Sequence, residues 1–266
     1  MELPQIGLGT WNLRGDECVK VVQLALNLGY RHIDTAHVYN NHEAIAKALK
    51  GFDRSKVFIT SKLALKEQID AADPELSVQK ACERTLKELK INYLDLYLIH
   101  APDRRFSLEI IFQAMKELVV QGKVRKVGVS NYTVHHLEDL TTAGHFPFAN
   151  QVEFHPYLNQ QALLDYCRMH RIKLISFRPF GKGKLLKEEP LFKVIGAKYN
   201  KTGAQVILRW LMQKEIAIIP KASCENHLKE NLDVFGFSLN SEDVLKLDQL
   251  HQNKRYCRPE DPEYNY

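Results

Sequence analysis

Cys18-Val-Lys-Val-Val-Gln-Leu-Ala-Leu-Asn-Leu-Gly-Tyr-Arg-His-Ile-Asp-Thr35 is the stretch whose reading decides the fold. Val21, Val22, Leu24, Ala25 and Leu28 fall on one face of a helix, Gly29 stops it, and Tyr30 to Thr35 reads as a strand. Upstream, Gln5-Ile-Gly-Leu-Gly9 reads as a first short strand, so the chain opens on a strand, helix, strand unit with parallel strands. The pattern continues outward. Apolar runs at Val57 to Lys62, Tyr93 to His100, Lys126 to Ser130, Ala149 to Glu153, Ile172 to Phe177 and Ile216 to Pro220 predict further strands, eight in all. Helical periodicity fills the gaps at Ser77 to Leu89, Leu108 to Gln121, Val134 to Leu140, Gln160 to His170 and Thr202 to Met212. With 266 residues and one unit per about 33 residues, the pattern predicts an α/β fold of the (β/α)₈ TIM-barrel class. No Ser/Pro/Gly-rich linker divides the chain, so residues 1–266 are expected to form one domain, with longer loops only at Leu63 to Glu75 and after Gln252. An open doubly wound sheet is the competitor, but Gly7-Leu-Gly9-Thr-Trp-Asn12 lacks the third glycine of a dinucleotide fingerprint.

Composition narrows the function classes. Hydrophobic residues make up 45% and charged residues 26%, which predicts a packed core and argues against disorder. The net charge of +5 comes from 37 basic and 32 acidic residues without one long basic run, so nucleic acid is not an expected partner. Five cysteines with no C-x-x-C pair suit free thiols in a reducing cytosol and offer no zinc knuckle. Met1-Glu-Leu-Pro-Gln5 has no basic and apolar leader, and no run approaches a membrane span, so a soluble cytoplasmic protein is expected.

In a closed barrel the reactive groups stand at the carboxyl ends of strands. Asp34, Lys62 and His100 each end an apolar strand, and period-two alternation aims all three at the barrel mouth. A carboxylate and an ammonium in that setting are costly unless paired, so Asp34 and Lys62 are expected to share a salt bridge. Tyr39 follows Asp34 by five residues, within the same mouth. The nearby ammonium favours the phenolate, which predicts a Tyr39 pKa lowered toward working pH and makes this residue a proton donor. His100 can then hold a carbonyl oxygen beside the phenol.

Seven segments in order resemble the aldo-keto reductase superfamily over nearly the whole chain: Gly7-Leu-Gly-Thr-Trp11, Asp34-Thr-Ala-His-Val-Tyr39, Thr60-Ser-Lys62, Tyr93-Leu-Asp-Leu-Tyr-Leu-Ile-His100, Gly128-Val-Ser-Asn131, Gln151-Val-Glu-Phe-His-Pro156 and Ile219-Pro-Lys221. The resemblance implies a catalytic tetrad of Asp34, Tyr39, Lys62 and His100 that reduces a small-molecule aldehyde or ketone with a nicotinamide cofactor. It assigns Ser130, Asn131 and Gln151 to the nicotinamide carboxamide and Phe177, in place of the usual tyrosine, to stacking on the ring. Phe177-Arg-Pro-Phe-Gly-Lys-Gly-Lys184 resembles the pyrophosphate loop, which brings Arg178 and Lys182 to the cofactor. In Lys221-Ala-Ser223-Cys-Glu-Asn-His227-Leu-Lys-Glu230-Asn231, Lys221 matches a 2′-phosphate lysine with Ser223 beside it, whereas Ala222 and His227 stand where serine and arginine are usual. Neutral imidazole lacks the charge and fork of guanidinium, so NADPH is the expected cofactor, with NADH also used. Glu230 and Asn231 match the adenine-binding pair. Trp11, Tyr39 and His100 are the expected substrate pocket, and Ala101, where tryptophan is often found, implies a roomier one. The shortened tail, Gln252 to Tyr266, makes the chain similar to compact microbial reductases, including those for 2,5-diketo-D-gluconate, and a monomer is expected.

Other readings of the same residues remain. A lysine ending an apolar strand suits the Schiff-base chemistry of a barrel aldolase. A barrel that binds nicotinamide cofactor can also serve as a sensor or interaction subunit with little turnover. Among eleven histidines, His42-Glu43 lacks the second histidine of H-E-x-x-H and His135-His136 has no ligand spacing behind it, so no catalytic zinc is expected.

Overall fold

The computed structural model describes residues 1–258 and 260–266. Eight strands follow in order: β1 (Leu8–Gly9), β2 (His32–Asp34), β3 (Phe58–Leu63), β4 (Leu94–Ile99), β5 (Val124–Ser130), β6 (Ala149–Glu153), β7 (Lys173–Phe177) and β8 (Ala217–Ile218). Each pairs in parallel with the next. The ring then closes on itself. Gly7 N donates to Ile218 O at 2.8 Å, Ile218 N to Gln5 O at 2.9 Å and Gly9 N to Pro220 O at 3.2 Å, with a parallel bridge between Ile6 and Ile218. The expected (β/α)₈ barrel is therefore the observed fold. A Cβ on Gly9 would lie 2.6 Å from Ile219 O, so glycine is what permits β1 to approach this closely.

Alternation along the strands sorts the core into two compartments. Phe58, Leu96, Leu98, Ala149, Ile175, Ala217 and Ile219 fill the barrel interior, while a larger cluster lies between strands and helices. His32 and Thr60 share the interior through a 2.9 Å hydrogen bond.

The helices predicted from periodicity form, with shifted ends: the first runs Gly15–Asn27 rather than from Cys18. Further helices occur at His42–Ala48, Leu191–Lys198, Glu225–Leu232 and Ser241–Asp248, where no helix was expected. The expected loop from Leu63 to Glu75 holds a short helix, Leu65–Gln68, and its far end already belongs to Pro74–Leu89. Asp73 starts that helix by accepting from Leu76 N, and Pro74 suits its first turn. Among the described residues, no helix is long and apolar enough to cross a membrane.

The tail after Gln252 is strapped over the carboxyl ends of the strands. Glu153, fully buried at the end of β6, accepts from Tyr256 N at 2.9 Å and Cys257 N at 2.8 Å. Farther on, Tyr264 donates its hydroxyl to Asn131 Oδ1 at 3.0 Å, and Thr133 Oγ1 donates to Tyr266 O at 2.9 Å.

Candidate active site

Asp34 and Lys62 are almost wholly buried and form the floor of the barrel mouth. Asp34 pairs with Thr60 across β2 and β3, which sets Lys62 two residues farther toward the mouth. Its Nζ turns back to Asp34 Oδ1 at 2.6 Å, donates to Thr35 O at 2.8 Å and lies 3.5 Å from the Tyr39 hydroxyl. The other Asp34 oxygen accepts from Gln151 Nε2 at 2.6 Å. Both carboxylate oxygens are thus held by donors, which offsets the cost of burying the charge. Tyr39 ends a short 3₁₀ turn, His37–Tyr39, and its ring meets that of His100 edge-on at 5.9 Å.

The electrostatics depart from the sequence reading at one point. The Tyr39 pKa is raised, not lowered: burial of the phenol outweighs the Lys62 ammonium, and the Asp34 carboxylate adds to the rise. Tyr39 therefore keeps its proton in the resting site, the state a donor requires. Burial also opposes the charge on Lys62, but Asp34 and Tyr39 hold its pKa above the ordinary lysine value. His100 is pushed well below the usual histidine range, by burial first and then by Lys62 and Arg258, so its ring is neutral.

Above this floor opens a cleft of about 990 Å³. Of the residues assigned from the sequence to catalysis, cofactor or substrate, only Lys62 does not line it and lies beneath; Ala101, expected to widen the pocket, stands outside its lining too. Ser130, Asn131 and Gln151 form a hydrogen-bonded shelf beside the floor. Ser130 Oγ donates to Gln151 O at 2.8 Å, and Asn131 Nδ2 donates to His100 O at 2.8 Å and Ser130 Oγ at 3.1 Å. Among the described residues no donor reaches Gln151 Oε1, which leaves an acceptor at the cleft wall. Phe177 supplies an aromatic wall at the end of β7.

The opposite end of the cleft is open and cationic. Lys221, Ser223 and His227 are exposed, and Lys182 and Lys221 have no acidic partner within 4.0 Å among the described residues. Glu230 and Asn231 lie on the helix Glu225–Leu232, where Thr202 Oγ1 donates to Glu230 Oε1 and Asn231 is buried. Arg178 is less free than the sequence implied: its guanidinium stacks 4.7 Å over Trp11 and donates to Tyr256 O at 3.3 Å.

Tyr256, Cys257 and Arg258 of the tail also line the cleft, and sequence reasoning missed them. A signal existed in Gln151-Val-Glu153, because a glutamate inside a buried strand end must find donors, and those donors are the nearby His155 ring and the two tail amides.

Comparison with known proteins agrees with this arrangement. The Aldo/keto reductase family description matches residues 5–252. A glyoxal reductase of Bacillus subtilis (strain 168) is 41% identical over 259 residues, covering 96% of this chain and 91% of the relative. A methylglyoxal reductase of Yersinia pestis is 37% identical over 260 residues, covering 95% and 91%. The crystal structure of an aldo/keto reductase from Brucella melitensis superposes with a TM-score of 0.86 at 38% identity, covering 93% of this chain and 95% of that one. An aldo-keto reductase from a Medee basin deep-sea metagenome library gives 0.89 at 35% identity, covering 96% and 94%. With the barrel, the buried Asp34–Lys62 pair and the cleft above it, these matches establish that the chain belongs to the aldo/keto reductase family and is an oxidoreductase that reduces carbonyl groups to alcohols.

Proposed function

We propose that Tyr39 is the proton donor for this carbonyl reduction, that Asp34, Lys62 and His100 complete the catalytic set, and that NADPH is the preferred cofactor, with NADH also accepted. The observation that carries the reading is the Lys62 ammonium, held against Asp34 at 2.6 Å and 3.5 Å from the Tyr39 hydroxyl. The neutral His100 ring offers an N–H to the carbonyl oxygen and orients it beside the phenol. As negative charge grows on that oxygen, Tyr39 releases its proton to it, and Lys62 stabilises the phenolate left behind. Asp34 keeps the ammonium aimed at this point.

When bound, a nicotinamide supplies the hydride that reaches the carbonyl carbon. The donor set fits such a group: Gln151 Oε1 is free to accept from a carboxamide, Asn131 and Ser130 flank it, and Phe177 offers a ring face. Arg178 and Lys182 would hold the pyrophosphate, Lys221, Ser223 and His227 the 2′-phosphate, and Glu230 with Asn231 the adenine. Trp11, Tyr39 and His100 would line the substrate pocket, to which Cys257 and Arg258 now add. Glyoxal and methylglyoxal, in the names of two relatives, are the first small carbonyls to try.

Two features count against a Schiff-base aldolase. Its lysine must be neutral and reach the substrate, whereas Lys62 is kept charged and lies below the cleft. Five free cysteines support a cytoplasmic setting, and a site assembled from one chain supports a monomer whose residues 1–266 form one reductase domain.

The test is NADPH and NADH consumption with glyoxal, methylglyoxal, an aromatic aldehyde and a keto-sugar acid, comparing wild type with Tyr39→Phe. The variant should lose about 10²–10⁴-fold in turnover while its cofactor dissociation constant stays unchanged. Undiminished turnover in Tyr39→Phe would remove the assignment, and tight cofactor binding without turnover on any substrate would favour a sensor or subunit.

A further inference from the structure

Outside the cleft, the fold gathers three potential metal ligands that no spacing along the sequence connects. His37 opens the turn that ends at Tyr39, His42 begins the helix His42–Ala48, and Glu88 lies near the end of the helix Pro74–Leu89. One ligand atom from each lies within 4.8 Å of the other two. We propose that His37, His42 and Glu88 form a site for a divalent transition-metal ion, zinc in the first instance, on the outer side of the turn that carries Tyr39.

Four observations support a built site. His42 is only 3% exposed, and both its nitrogens are engaged: Nδ1 meets Glu88 Oε2 at 2.9 Å and Nε2 meets Ser61 Oγ at 3.1 Å. Glu88 is itself oriented by Arg84, which donates to Oε1 at 3.2 Å and leaves Oε2 for the cluster. His37 has its Nδ1 buried without a hydrogen-bond partner among the described residues, an unmet demand next to two ligands. Two imidazoles and a carboxylate, completed by water as a fourth ligand, are a donor set that zinc accepts.

The proton inventory closes. With Glu88 ionised, the contact at Nδ1 requires the single proton of neutral His42 to sit there, and Nε2 accepts from the Ser61 hydroxyl. A metal ion taking the Nδ1 lone pair moves that proton to Nε2, where Ser61 Oγ accepts it once its own hydroxyl has turned away. Ser61 thereby becomes the outer partner that fixes the ligand ring. Zinc bonds of about 2 Å set neighbouring ligand atoms about 3.4 Å apart. The His42–Glu88 contact of 2.9 Å must then open slightly to admit the ion, and His37, only partly buried, can swing inward to close the remaining gap.

That inward movement has a functional consequence, which rests on the role proposed for Tyr39. His37 and Tyr39 belong to one turn, whose Tyr39 N donates to Ala36 O at 3.0 Å. Drawing His37 toward His42 tilts this turn and moves the phenol away from Lys62, so a bound ion slows reduction.

The experiment is equilibrium dialysis of the full chain against zinc sulfate, with metal counted by elemental analysis, on wild type, His37→Ala, Glu88→Gln and Cys257→Ser. The partly exposed ligands are chosen because replacing buried His42 risks misfolding. Wild type and Cys257→Ser should hold about one ion per chain, and His37→Ala and Glu88→Gln should lose it. Equal binding by wild type and all three variants, or none by wild type, overturns the site. Turnover is then read with and without zinc: inhibition should vanish in His37→Ala and Glu88→Gln and persist in Cys257→Ser. The reverse pattern would put the inhibitory ion on the cleft thiol instead. Dialysis uses no turnover, so failure of the site and failure of the reductase reading are separable.

Discussion

The floor of the cleft and its far end contain similar side chains under opposite conditions. At the floor, Lys62, Asp34 and Gln151 are buried, and Asp34 accepts from both of the others at 2.6 Å. At the far end, Lys221, Ser223 and His227 are exposed, and the Lys221 ammonium has no carboxylate partner among the described residues. A charge fixed in a dry setting acts without rearrangement when a substrate's charge changes, while one on a solvated arm adds affinity and little else. Chemistry should therefore depend on the floor, and cofactor preference on the rim.

The sharpest way to break that contrast is Lys62→Met. Removing the ammonium strands the Asp34 carboxylate in the core, which should cost about 3–5 kcal/mol of stability. Turnover should also fall by about a thousandfold. Calorimetry and steady-state kinetics read both, and a variant with wild-type stability would mean that the floor is not electrostatically interlocked. At the rim, His227→Arg should tighten NADPH by about tenfold through a charged, forked donor while leaving NADH and turnover unchanged. Equal tightening of both cofactors, measured by fluorescence titration, would detach His227 from the 2′-phosphate.

A smaller effect tests the depth of the floor through pH. His32, beneath Asp34 in the barrel interior, has its pKa lowered to about 3 by burial and then by Lys62. An unfolded histidine titrates near 6.5, roughly, so between those values the unfolded chain binds the extra proton. Stability should fall as pH drops from about 6.5 toward 3. His32→Gln, which can still reach Thr60, should flatten part of that slope in urea melts. An unchanged slope would assign the acid sensitivity to other groups.

Asp34, Lys62 and His100 were legible in the sequence because each is an ionisable group at the carboxyl end of an apolar strand, and a barrel aims such ends at one mouth. Tyr39 was legible by its offset from Asp34. The direction of its pKa was not, since proximity to Lys62 can be guessed from order along the chain but depth of burial cannot. The bond from Gln151 to Asp34 joins β6 to β2 across the barrel and leaves no local trace. The helix His42–Ala48 escaped because a seven-residue segment with a polar start carries too little periodicity. Cofactor residues at the rim, His227 among them, were reached only through resemblance, for an exposed side chain answers to a ligand rather than to the core.

The seam between β8 and β1 also dictates the order of events when the chain is made. Gly7 and Gly9 donate to carbonyls of Ile218 and Pro220, from opposite ends of the barrel sequence. During synthesis the first strand must wait, unpaired on that side, until the last strand has emerged. Such a distant closure is a slow step in folding, and an unclosed ring leaves the Asp34–Lys62 pair wetter and more weakly coupled. Catalytic competence should thus arise late and abruptly, after most of the helical layer has formed.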